Sequence, residues 1–161
     1  MRFGQVLRPE GWSLLALVAF HVTHYLSVAV WVGTMFFNLL VGFPLMKTRA
    51  DTVRAHVEMM AAQGVRAAPW LYLLVTSTFA SGWLITLVTP PSTTFLVVKH
   101  GLFFGMLACH LYGTLVMWPR IFFSLDSEVP ALFRRYTLLM IGSTALGVLA
   151  ISSSYYWGLA K

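Results

Sequence analysis

Charged side chains are scarce in this chain of 161 residues, of which only 10% are Asp, Glu, Lys or Arg. None of them occurs between Gly11 and Met46, and the five carboxylates all lie outside the long apolar runs. A membrane-spanning helix needs about 20 apolar residues, so the first run is long enough to cross a bilayer. The lack of carboxylates within these runs argues against a carboxylate proton relay or a di-iron site of the helix-bundle type.

Cysteine is nearly absent, and the single Cys109 excludes both an intramolecular disulfide and a C-x-x-C-H site for covalent haem attachment. Any haem in this protein is therefore held non-covalently. The sequence also has no phosphate-binding glycine loop, no Ser-His-Asp arrangement and no C-x-x-C zinc motif. These absences exclude the common classes of hydrolase and nucleotide-dependent enzyme.

Hydrophobic residues, in contrast, make up 58% of the chain, which is typical of an integral membrane protein. The formal net charge is +6. Because the Lys and Arg residues lie between the apolar runs, the charge reflects membrane topology, and we expect no nucleic-acid partner.

The apolar runs predict an all-α, integral membrane four-helix bundle that forms one domain over residues 1–161. The first run is far longer than a signal-peptide core, so we expect a retained span and not a cleaved leader. Between the first two spans, the spacing of apolar residues and the Arg54/Glu58 pair predict a short cytoplasmic surface helix that ends near Gly64. The four predicted spans cover approximately 13–43, 68–88, 94–118 and 133–157.

The distribution of Lys and Arg predicts the orientation of the spans. Seven of these residues lie in the connections 47–66 and 120–135, and four lie on the other side. Because positive charge is enriched in cytoplasmic loops, both termini are predicted outside the cytoplasm. We expect a multi-pass protein of the bacterial inner membrane.

Two spans place ionisable side chains in hydrocarbon, where such groups are candidates for function. Trp31 and Met35 each fall within about 20° of His24 on a helical wheel. Lys99, Met106 and His110 repeat this spacing on the third span and also share a face.

The depths of the two histidines predict a shared metal centre. At about 1.5 Å per residue, His24 and His110 differ in depth by about 7 to 8 Å before any tilt of the helices. We therefore predict that they ligate the iron of a b-type haem between the spans, an arrangement that suits electron transfer. Trp31 then packs in the core, in contact with the macrocycle.

Other assignments of the polar residues stay open. His21 and His100 form either a second ligand pair or a set of interfacial polar groups. Lys99 either extends to the membrane surface or forms an ion pair with a haem propionate.

Short motifs in all four spans resemble those of HemJ-type protoporphyrinogen oxidases and related CopD-like membrane proteins. They are His24-x6-Trp31-x-Gly33, Ser81-Gly82-Trp83-Leu84, Lys99-x10-His110 and Glu128-Val129-Pro130. The resemblance implies a four-helix membrane protein that binds b-type haem, with His24 and Lys99 or His110 near the active site. It also implies oxidation of a porphyrinogen, with electrons passing to the respiratory chain.

Three functions follow as hypotheses from these patterns. The first is a haem b protein that carries electrons in the membrane, with a quinone or a porphyrinogen as its redox partner. The second is a CopD-like copper permease or copper-handling protein, because histidine and methionine are suitable copper ligands. The third is an accessory subunit that packs through small residues, such as Gly101 and Gly105, in a homo-oligomer or a larger membrane complex.

Overall fold

The computed structural model describes residues 14–88 and 92–159, with side chains as far as Tyr156. This part of the chain is all-α and forms four long helices. Each is long and apolar enough to cross a membrane, so the chain is a multi-pass membrane protein. The predicted spans all fall on these helices, except that Ser13, the first residue of the first predicted span, lies outside the described residues. The side chain of Trp157, the last residue of the fourth predicted span, also lies outside them. The helices cover Leu14–Arg49, Val53–Val88, Thr93–Phe123 and Val129–Leu159.

The four helices pack as two hairpins. The first helix lies along the second, the third lies along the fourth, and the first also contacts the fourth. The fully buried Trp31 lies at the centre, where its indole is in edge contact with the rings of Phe103 and His110 on the third helix. The outer faces present large apolar side chains, as a surface in contact with lipid requires.

Close packing at the centre depends on a small residue of the fourth helix. A Cβ atom at Gly147 would lie 2.8 Å from Cγ2 of Val32 and 2.9 Å from Sδ of Met106. With a larger residue there, the side chains of Val32 and Met106 or the fourth helix itself would have to move. Gly147 thus sets how closely three of the four helices approach one another.

The prediction of a separate surface helix between the first two spans is wrong. The first helix continues to Arg49, the chain turns within residues 50–52, and one helix then runs without interruption from Val53 to Val88. Gly64 and Pro69, which suggested a helix end and a new start, lie inside it. A single proline removes one backbone hydrogen bond, and packing along the first helix compensates for that loss.

Two of the helices contain a π-helical turn directly before a proline. The turn Asn38–Gly42 precedes Phe43-Pro44 in the first helix, and Gly113–Met117 precedes Trp118-Pro119 in the third. In each case the residue before the proline donates its N–H to the carbonyl five residues earlier. Such turns often occur at functional sites in membrane helices and elsewhere.

Arg54 fixes the connection between the third and fourth helices to the start of the second. Its guanidinium donates to the carbonyl oxygens of Phe122 at 2.8 Å and Ser124 at 2.7 Å. It also forms an ion pair with Asp126 at 2.6 Å. One planar side chain therefore joins both hairpins at the end where the connecting loops lie.

Candidate functional site

His24 is buried and hydrogen-bonded across the interface between the first and second helices. Its Nδ1 atom lies 3.0 Å from the carbonyl oxygen of Thr78 and 3.3 Å from Oγ of Ser81. A carbonyl oxygen only accepts, so Nδ1 carries the proton and donates it to Thr78. The neutral ring then has its lone pair on Nε2, the arrangement found for histidines that ligate metals.

Gly82 provides the space in which the His24 ring lies. A Cβ atom at this position would lie 2.8 Å from Cε1 and 3.1 Å from Nδ1 of His24. Such distances are shorter than van der Waals contact, so a side chain at residue 82 would displace the imidazole. The second helix thus supplies both the hydrogen-bond acceptor and the flat surface that orient this histidine.

The imidazole of His24 lines a cavity of about 350 Å³, here called the His24 cavity. Its walls are mainly apolar and come from the first, third and fourth helices, with Thr78 from the second. Lys99 also lines it, as do Phe103 and Met106 from the same helix. A smaller space of about 40 Å³, lined by His24, Lys99 and His100, adjoins the same residues. Of the three residues predicted to share a face of the third span, Lys99 and Met106 line this cavity and His110 does not.

Lys99 brings a positive charge to this apolar cavity. Its Nζ atom lies 5.6 Å from the centre of the Phe95 ring, a cation–π distance. Within the described residues Lys99 has no carboxylate partner, because the only ion pair found there is that of Arg54. The acidic residues of the described chain lie at the other end of the bundle, with Asp51, Asp126 and Glu128 in the connections and Glu58 near the start of the second helix. The cavity therefore combines one imidazole with one ammonium group.

His110 is buried in a different environment. Its ring lies 5.8 Å from that of Trp31, almost perpendicular to it. Among the described residues its Nδ1 atom has no hydrogen-bond partner, although it is inaccessible to water. An unpaired buried polar atom costs free energy and therefore calls for an explanation.

His110 lines a second cavity of about 250 Å³, here called the His110 cavity. Its polar lining consists of uncharged side chains, including a hydrogen bond of 3.0 Å from Nε2 of Gln63 to Oδ1 of Asn38. Thr34, Thr114 and Tyr136 complete this polar set. Phe43, Met60 and Trp118 are among the residues that form the apolar walls.

The two cavities occupy opposite halves of the bundle. On every helix, the residues that line the His24 cavity and those that line the His110 cavity fall in separate segments. Between them lies the buried cluster of Trp31, Val32, Met35, Met106 and Met140. The structure thus brings His24 and Lys99 to one cavity and gives His110 a cavity of its own.

His21 and His100 are less buried than His24 and His110. Nδ1 of His21 donates to the carbonyl of Leu17 at 2.8 Å, and Nδ1 of His100 donates to that of Leu96 at 2.8 Å. Both bonds are local, within one helical turn. His100 lines the small space beside His24 and is in edge contact with Trp83. His21 lines none of the cavities described here, so the structure does not bring these two residues to one cavity.

Sequence reasoning missed the partners that orient His24. Ser81 and Gly82 formed part of a short motif, but the hydrogen bond to the Thr78 carbonyl had no signal. Asn38 and Gln63 were also not identified as neighbours. A polar residue within a span is the only signal that such a pair offers, and it does not say which helix supplies the partner.

Comparison of the chain with protein-family models, with curated proteins and with solved structures found no match. The four-span membrane architecture is therefore established by the helices themselves, and the family resemblance of the short motifs stays a prediction.

Proposed function

We propose that this chain is a membrane protein that binds b-type haem in the His24 cavity and transfers electrons. The observation that carries the proposal is the fixed tautomer of His24. The Thr78 carbonyl accepts a hydrogen bond from the Nδ1–H group of His24, so the lone pair of the ring is on Nε2. The ring is buried and lines the His24 cavity. The haem would supply one-electron redox chemistry, and the protein would supply binding and orientation.

The polar groups of the cavity suit this ligand. A haem offers iron to an imidazole, a large apolar ring to apolar walls, and propionates to a cation. His24, Phe103 and Lys99 match these three demands in turn. Gly82 gives the imidazole a close-fitting position, so little rotation has to be lost when it binds a metal.

Copper is a weaker candidate for this cavity. Copper sites are usually built from several histidine, cysteine or methionine side chains. Within the described residues there is no group of three His, Cys, Asp or Glu that could hold a metal ion. Met106 does line the cavity beside His24, but the ammonium group of Lys99 would repel a bare cation. A porphyrin needs only one or two ligands from the protein.

The first test is the visible spectrum of the purified protein in detergent. We expect a sharp α band in the dithionite-reduced minus oxidised spectrum. We expect His24→Ala to abolish haem retention, because the ring that binds the iron is removed. His56 lies near the start of the second helix and lines neither the His24 cavity nor the His110 cavity, so His56→Ala should leave the haem in place. A wild-type protein without haem but with stoichiometric copper would contradict the proposal and support the copper hypothesis.

A second variant separates loss of a ligand from loss of the fold. His24→Gly leaves space for free imidazole, so adding imidazole should restore the haem spectrum if His24 is a ligand. The predicted role of His110 as the opposite ligand is tested by the same spectra. Loss of haem in His110→Ala would favour the bis-histidine centre, and retention would assign the haem to the His24 cavity.

A further inference from the structure

The His110 cavity has features of a binding site that the haem proposal does not use. It lies in the opposite half of the bundle from the His24 cavity, has a volume of about 250 Å³ and is lined by all four helices. His110 is only 7% exposed, and within the described chain no group pairs with its Nδ1 atom. A ligand oxygen would supply the missing partner.

The chemistry of the lining defines the ligand. The described residues around the cavity include no Asp, Glu, Lys or Arg, so the ligand is uncharged. Hydrogen-bonding groups occur on all four helices, namely Asn38 on the first, Gln63 on the second, His110 on the third and Tyr136 on the fourth. These groups suit a molecule with more than one carbonyl or hydroxyl oxygen.

The apolar walls indicate that the ligand carries a flat ring. Phe43, Trp118 and Tyr136 all line the cavity, and the Trp118 and Tyr136 rings lie 5.9 Å apart. Aromatic side chains of this kind pack favourably against a planar ligand. The position within the spans requires that the ligand dissolve in the membrane.

The π-helical turns give the cavity its shape. Asn38 begins the turn of the first helix, and Thr114 lies in the turn of the third, so both widened segments border the same space. The second helix contributes three small residues, Ala61, Gly64 and Ala67, beside larger ones such as Met60 and Gln63. Wide turns on one side and small residues on the other leave the volume unfilled.

We infer that the His110 cavity binds the ring of a membrane quinone, with His110 as a hydrogen-bonding partner of a ring oxygen. A quinone is uncharged, planar and soluble in lipid, and it carries two ring oxygens. The inference rests on the proposed function only in naming this quinone as the electron-exchange partner of the haem. Binding itself requires no haem.

The test uses the full chain in lipid nanodiscs and decylubiquinone as the probe. We expect saturable quenching of tryptophan fluorescence with one probe per chain, measured against empty nanodiscs. His110→Leu should raise the dissociation constant about tenfold, because one hydrogen bond to a buried polar group is lost. His110→Gln, which keeps a donor, should raise it less.

A matched pair of variants tests whether the cavity is the binding site. Ala61→Leu adds a side chain in the lining and should abolish saturable binding. Ala62→Leu adds the same side chain one residue along, where the residue is exposed and lines none of the cavities described, and should leave binding unchanged. Both proteins should fold, as judged by monodisperse elution in detergent.

Three outcomes would overturn the inference. One is probe uptake that does not saturate above that of empty nanodiscs, which would mean that lipid fills the cavity. Another is equal affinity for the Ala61→Leu and Ala62→Leu proteins. The third is loss of haem in His110→Leu, which would make His110 an iron ligand. Saturable binding in a protein without haem would support the quinone site while contradicting the proposed function.

Discussion

At the scale of single residues, the two buried histidines differ in what their Nδ1 atoms contact. That of His24 donates to a carbonyl on the neighbouring helix, whereas that of His110 has no partner among the described residues. The first ring is fixed in one tautomer and orientation by its partner. The second is in edge contact with Trp31, and its unpaired Nδ1 atom is available to a ligand.

Replacement of Gly82 by alanine tests how closely the second helix fits the His24 ring. The added Cβ atom would lie 2.8 Å from Cε1 of His24, so the ring or the helix has to move. We expect Gly82→Ala to destabilise the protein by about 1 to 3 kcal/mol, the usual cost of overpacking. Haem content should fall in the same protein. Thermal unfolding in detergent and the reduced haem spectrum are the two measurements.

The matched control is Gly33→Ala, on the first helix. A Cβ atom there meets nothing within 4 Å, and alanine is the better helix former by about 1 kcal/mol. This protein should therefore be as stable as the wild type or more so. If the two variants unfold at the same temperature and keep the same haem content, Gly82 does not fit the ring closely.

At the scale of whole elements, hydropathy predicted where helices form better than glycine and proline predicted where they end. Apolar runs must be helical in lipid because every backbone polar group needs an internal partner. The runs therefore located all four helices. Gly64 and Pro69 wrongly suggested an interruption, since packing along the first helix maintains the second through both residues. The only sequence signal of the π-helical turns is the proline that follows each of them, Pro44 or Pro119. Prolines also occur in kinked α-helices, so this signal does not identify a π-helical turn.

Substitution of Arg54 tests the connection between the two hairpins. Arg54→Ala removes the donors for two backbone carbonyls and the partner of Asp126. Because these groups are partly exposed, we expect a loss of about 1 to 2 kcal/mol in the free energy of unfolding. We also expect faster proteolysis of the segment 124–128. Arg54→Lys should restore little, because an ammonium group cannot reach three acceptors in one plane.

Arg135→Ala is the control for this effect, because it removes the same charge from the same end of the bundle. Arg135 is exposed and makes no ion pair with any described residue. Its loss should change neither the unfolding temperature nor the rate of proteolysis. Equal effects of the two substitutions would show that net charge, and not the Arg54 contacts, sets the stability of this end.

At the scale of the whole molecule, the order of the helices was beyond sequence reasoning. Helical wheels gave the directions of His24, Trp31 and Met35, all of which are buried. They did not give the register between helices, which decides that His24 reaches Thr78 and that His110 faces a separate cavity. Register depends on contacts such as that of Gly147 with Val32, and the spacing of residues within one helix does not specify these.

The orientation predicted from Lys and Arg is tested by labelling with a membrane-impermeant maleimide. In a Cys109→Ser background, a cysteine at Ser127 should react only after the cells are opened, and one at Ser92 should react in intact cells. The two residues lie in the connections at opposite ends of the helices. Labelling of the Ser127 site in intact cells would reverse the predicted orientation.

The two cavities lie in opposite halves of the bundle along all four helices, so each lies nearer a different leaflet of the membrane. In sealed vesicles, a water-soluble reductant too polar to cross lipid would then act at one half only. Turning the vesicles inside out would exchange which half it reaches.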